Sequence, residues 1–176
     1  MLWQLVTETE PVVDAAFDLS RWEAFAVAVV GAAAALAGLL VVAVSINVAR
    51  ILELPAVISR LVGTLALFAG ILAIGTVLLV PGQGVRWAGV EIVVIAVALL
   101  AALVRLKIST RSQKRYGAGT TIAEWIGIGA AAFLLAAGVT CLLSAGGGLY
   151  WLVPAVLVGF TIGLANAWVA LVEILR

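Results

Sequence analysis

Five apolar runs, separated by short polar breaks, occupy most of this chain: Glu23 to Asn47, Leu61 to Val80, Trp87 to Val104, Thr121 to Ser144 and Leu149 to Val172. Each is close to the roughly 20 residues that cross a hydrocarbon core as a helix. The pattern predicts an all-α, polytopic membrane bundle of five transmembrane helices over residues 23–176, preceded by an acidic segment over residues 1–22. Tight turns are expected at Pro81-Gly82-Gln83-Gly84 and at Ala145-Gly146-Gly147-Gly148. The first span is expected to continue as helix to Leu54-Pro55, where the residue before proline disfavours helix. The one sizeable loop is Arg105 to Thr120. Before the first span, Pro11 to Trp22 sets Val13, Ala16 and Phe17 at helical spacing, which would make an interfacial helix. That segment reads either as a cap or docking helix or as an acidic tail that assists orientation, and the second is the expectation.

Composition agrees with a membrane protein: 65% of residues are hydrophobic and 11% charged, with a mean hydropathy of +1.29. The first apolar run is expected to stay in the mature chain, because residues 1–23 carry Glu8, Glu10, Asp14, Asp18 and Glu23 against a single Arg21, the reverse of a basic leader. Arg21 and Arg86 fall on one side of the five-span topology. Arg50, Arg60, Arg105, Lys107, Arg111, Lys114, Arg115 and Arg176 fall on the other. This asymmetry predicts an outer amino terminus and a cytoplasmic carboxyl terminus. Trp3, Trp22, Trp87, Tyr150 and Trp151 would form an outer aromatic belt, with Tyr116, Trp125 and Trp168 at the inner one. The net charge of +1 gives no reason to expect a nucleic-acid partner.

The chain has no histidine and one cysteine, so imidazole-activated nucleophiles, paired-cysteine sites and histidine proton relays are not available to it alone. No enzyme activity, cofactor or metal is expected, and Cys141 reads as small core packing. Candidate chemistry therefore rests on polar groups in or beside the spans, where they are costly. Glu91 is the deepest acid, about one and a half turns into the third span from Arg86. It would either line a water-filled path or pair with Arg86 near the interface. Asn47, Arg50, Glu124, Asn166 and Glu173 gather toward the other end, either as a vestibule or as helix-to-helix bonding that closes the bundle. Asn47, Arg50 and Glu53 would share a helix face, as would Asn166 and Glu173. The basic residues Arg105, Lys107, Arg111, Lys114 and Arg115 would face anionic lipid head groups.

Small residues recur at every fourth position, notably Gly31 and Ala35 in the first span, Ala123, Gly127 and Ala131 in the fourth, and Ala155, Gly159, Gly163 and Ala167 in the fifth. Such stripes let helix backbones approach closely. They predict a homo-oligomer with the fifth or first helix at the contact, unless packing within one chain uses them all.

The runs Val42-Ala43-Val44-Ser45-Ile46-Asn47-Val48-Ala49-Arg50-Ile51-Leu52 and Leu79-Val80-Pro81-Gly82-Gln83 are distinctive. So is Gly148-Leu149-Tyr150-Trp151-Leu152-Val153-Pro154, followed by Asn166-Ala167-Trp168-Val169 and Val172-Glu173-Ile174. Together these resemble a family of small bacterial membrane proteins, some of them labelled modulators of a membrane-bound ATP-dependent protease of the FtsH type. The resemblance covers most of the chain. It implies a multi-pass protein of the bacterial inner membrane and points to Asn47, Arg50, Asn166 and Glu173. On the sequence, the leading function is a homo-oligomeric ion channel or pore. The alternative is a non-catalytic regulatory or accessory subunit with a larger membrane-protein partner.

Overall fold

The computed structural model describes residues 15–53, 55–111 and 119–172, with the backbone alone at residues 50, 55–56, 110–111, 119–124 and 169–172. Among the described residues there is no strand, and five helices are long and apolar enough to cross a membrane. We label these α1 (Glu23–Ile46), α2 (Pro55–Leu78), α3 (Val85–Arg111), α4 (Gly119–Leu143) and α5 (Leu152–Val172). The protein is an integral membrane protein, with five helices among the described residues that can cross the bilayer, the number the apolar runs predict.

Several boundaries differ from the sequence expectation, each for a local reason. α2 begins at Pro55 rather than near Leu61, because a proline in the first turn is preorganised for helix and loses no intrahelical bond. α3 runs on to Arg111 instead of ending at Val104. Arg, Leu and Lys are strong helix formers, and their charges mark an interface rather than a loop. The first span does not continue unbroken to Leu54. Asn47 leaves helical geometry at φ −111° and ψ 17°, and its amide donates back to the Ala43 carbonyl at 3.2 Å, the local competition that lets asparagine end helices. A short helix, Val48–Leu52, follows. Asn47 therefore does not share one continuous helix face with Arg50 and Glu53. The polypeptide reaches α5 through a 3-10 turn, Gly148–Trp151.

α2 is the hub, in contact with each of the other four spans, while α3 and α4 form the most extensive pair. Where α3 and α4 meet, their backbones nearly touch. A Cβ on Gly138 would lie 2.8 Å from the Val93 nitrogen, and one on Gly89 would lie 3.0 Å from the Gly138 carbonyl oxygen. The fifth-helix stripe is consumed in the same way. Ala155, Gly159 and Gly163 are buried, Gly159 receives the Ile71 side chain, and Gly163 receives the Phe68 ring. The first-helix stripe is not consumed: Gly31 and Gly38 are exposed, with open space where a Cβ would stand. Of the five spans, α1 is the least buried.

One end of the bundle, called here the amino-terminal face, carries the turns after α2 and α4 together with residues 15–22. These residues are docked rather than trailing: Ala16 and Trp22 are buried, and the Trp22 indole donates to the Ala15 carbonyl at 2.8 Å. Trp22 also packs edge-on against Tyr150 and Phe25, so it belongs to the core rather than to an aromatic belt. Trp87, Tyr150 and Trp151 are exposed at this face, and Trp125 and Trp168 are exposed toward the other, matching the two girdles expected at lipid–water boundaries. The expected interfacial positions Trp3 and Tyr116, with residues 11–14 of the Pro11 to Trp22 segment, lie outside the described residues.

The glycine contacts separate structural from free positions. Gly138→Ala should lower the thermal stability of the purified protein by about 1 to 3 kcal/mol through overpacking. Gly38→Ala should leave the melting temperature of the isolated chain unchanged. Thermal unfolding in detergent, followed by circular dichroism, checks both.

Candidate functional site

Among the described residues the middle of the bundle is filled by apolar side chains. Ile92, Ala96, Ala131, Leu134, Ala137, Cys141 and Leu152 belong to one core cluster with almost no exposure. The void enclosed among α1, α2, α4 and α5 has a volume of about 10 Å³ and an apolar lining, room for one water at most. Any candidate site therefore lies at the two ends or on the outward helix faces.

The sequence-predicted polar residues do not meet at one point. Asn166 is buried on α5, and its amide donates to the Thr64 hydroxyl of α2 at 2.8 Å. Thr64 in turn donates to the Arg60 carbonyl of its own helix at 3.0 Å. This is the helix-to-helix bonding reading of Asn166, with Thr64 as a partner that the sequence did not single out. Asn47 is spent on its own helix, as described above. Arg50 and Glu124 are placed by backbone only, in the short helix and in the first turns of α4. Glu173, with Lys114 and Arg115, lies outside the described residues.

Glu91 is exposed on α3 and turns away from the bundle. It does not pair with Arg86. Instead the Gln83 amide nitrogen, from the preceding turn, donates to its carboxylate at 2.8 Å. It stands on an outward stripe with Trp87, Val94, Ala98, Ala101, Arg105 and Ile108, all exposed. Beside this turn, a cleft of about 480 Å³ opens between residues 17–23 and 78–85, with Asp18, Glu23 and Gln83 in its wall. Among the described residues the single ion pair is Arg21 to Asp18, at 3.3 Å.

Lys107 departs most from expectation. Placed by sequence in a lipid-facing basic loop, it lies instead within α3 and is buried. Its ammonium sits 3.3 Å from the centre of the Trp125 ring of α4 and has no hydrogen-bond partner. Arg105 on the same helix is exposed, as the loop reading anticipated for its charge, while Arg111 is placed by backbone only. The indole was legible as a belt residue, but nothing in the spacing joined it to a lysine across a hairpin.

The Asp18 carboxyl is held below its ordinary value of 3.8, chiefly by the Ser20 side chain; desolvation opposes this as the next largest effect, and the Ser20 N–H and Arg21 add to the lowering. The Ser20 hydroxyl donates to it at 2.6 Å and the Ser20 N–H at 3.1 Å. Asp18 thereby caps the turn Leu19–Trp22. Searches against protein-family models, curated proteins and solved structures found no match for the chain.

Two outcomes follow. Thr64→Val and Asn166→Leu should each destabilise by about 1 kcal/mol, and the double variant should cost less than the two single losses together, because no polar group is then left unpaired. A double-mutant thermal cycle reads this. Because the Asp18 value is depressed by folding, its support for the turn is complete at neutral pH and fades as pH falls below 3.8 through the lower folded value. Amide exchange at residues 15–22 should rise over that range, and Asp18→Asn should remove the pH dependence.

Proposed function

We propose that this chain is a non-catalytic membrane subunit that acts by association, first with a second copy of itself and through that assembly with a larger membrane partner. The observation that carries this reading is the open small-residue stripe of α1. Ala24, Ala28, Gly31, Ala35, Gly38 and Ser45 all face outward, while the comparable stripe of α5 is filled from within. In lipid, helices associate by close packing of small residues rather than by hydrophobic exclusion. A stripe that packs within its own bundle has no further use, whereas one that stays open is available to a partner. The apolar filling of the core among the described residues supports association over conduction through a single chain.

A pore between copies is the second reading, and Glu91 favours it. A carboxylate on an outward helix face at membrane depth is costly against lipid tails and is relieved at a polar axis shared by several copies. On this reading the α3 stripe, with Glu91 toward one end and Arg105 toward the other, would line the passage. The cytoplasmic carboxyl terminus belongs to the same proposal, supported by the distribution of Lys and Arg along the sequence, and the bacterial inner membrane belongs to it through the family resemblance of the sequence.

Two measurements separate these readings. With Cys141 replaced by Ala, Gly38→Cys should form a disulfide-linked dimer in membranes under mild oxidation, and Gly159→Cys should not. Purified protein in liposomes should leave them tight to ions. Ion flux that Glu91→Gln alters without changing assembly would replace the subunit reading with the pore.

A further inference from the structure

Lys107 poses a physical problem that association through α1 leaves unanswered. An ammonium is expensive to bury without an acceptor. Lysines near a span end ordinarily extend toward water instead. Lys107 lies two residues from the end of the apolar span Val85–Ser109, close enough for its stem to reach the interface. It folds instead beneath Trp125, 8% exposed, with its ammonium against the ring and bonded to no carboxylate or carbonyl among the described residues. A cation on an indole face is stabilised by the ring's quadrupole, though this contact satisfies none of the three N–H donors.

Trp125 is more than half exposed, so the indole is a thin cover with the lysine on one side and the surroundings of the bundle on the other. Those surroundings, at a span end, are the head groups of one leaflet. The Gly89–Gly138 contact holds α3 and α4 together in their other half, and at this end a lysine stem and an indole stand between them. Arg105, two residues along the same helix, is exposed on another face of α3, which leaves Lys107 as the charge of this site. An anion in this position supplies the acceptors that the ammonium lacks.

We propose that the Lys107–Trp125 end of the α3–α4 pair is a binding site for the phosphate of an anionic phospholipid. Lys107 is its buried charge and Trp125 its movable cover. The indole holds the ammonium while the site is empty and yields it when a phosphodiester arrives. This inference rests on the five-span fold and the side chains named, and it stands whether the chain is an accessory subunit or a pore.

Native mass spectrometry of protein extracted from nanodiscs containing equal phosphatidylcholine and phosphatidylglycerol tests the assignment. The wild-type chain should retain phosphatidylglycerol in preference. Lys107→Gln should lose at least about fivefold of that preference, the equivalent of the roughly 1 kcal/mol that one basic residue contributes at an anionic membrane surface. Lys107→Arg should keep it. Arg86→Gln, at the opposite face, should leave it unchanged. Trp125→Ala, which frees the ammonium and keeps its charge, should raise retention and keeps the proposal testable if Lys107→Gln fails to fold. Undiminished preference in folded Lys107→Gln, or equal loss in Arg86→Gln, would overturn the site. Displacement of the lipid by inorganic phosphate at constant ionic strength would overturn the lipid as its occupant.

Discussion

Helices already inside a bilayer gain nothing from hiding apolar surface from one another, because the lipid tails are as apolar as they are. What holds them is steric fit, and this bundle depends on it at a few places. The Gly89–Gly138 approach brings two backbones together with no side chain between them, so dispersion contacts accumulate along the helices on either side. α2 then serves as the common wall, with Phe68 and Ile71 entering the notches left by Gly163 and Gly159. Fit of this kind tolerates little change at the contact and is indifferent to residues that face lipid.

Polar groups are few, and each is settled in a different way. Asn166 finds a hydroxyl on another helix, Asn47 turns back on its own backbone, and Glu91 takes an amide from the adjoining turn. Lys107 has only an aromatic face. The first three each make a hydrogen bond within the chain. The fourth makes none among the described residues, and this sets it apart as a place where something outside the chain is expected.

The spans were legible because hydropathy over about 20 residues is a strong signal, and the turn at Pro81-Gly82 was legible because few other structures accommodate that pair. Span ends were less so. Hydropathy counts Arg105, Lys107 and Arg111 as a departure from the membrane, whereas the backbone continues as helix through them. Asn47 was marked by its cost in lipid, but its helix-breaking bond depends on a rotamer that no pattern encodes. The stripes on α1 and α5 looked alike in sequence. Which of them is filled depends on where Phe68 and Ile71 arrive, and that is decided by the packing of α2. Thr64 was missed because its partner lies 102 residues away along the chain, and a threonine in an apolar run otherwise bonds its own helix.

The docking of residues 15–22 has a consequence for the order in which the protein is made. Ala16 packs on Gly148, its carbonyl in the place a side chain would take, and Trp22 packs on Tyr150. The first part of the described chain to leave the ribosome therefore finds its partners only after nearly all of the bundle has been synthesised. Chains generally fold from the amino end as they emerge, and contacts so distant in sequence form late. At this face residues 15–22 dock only once Gly148 and Tyr150 have been made, so a product that stalls before them still has those residues undocked. The seat of Trp22 thus distinguishes a chain that has reached Tyr150 from every intermediate that ends before it.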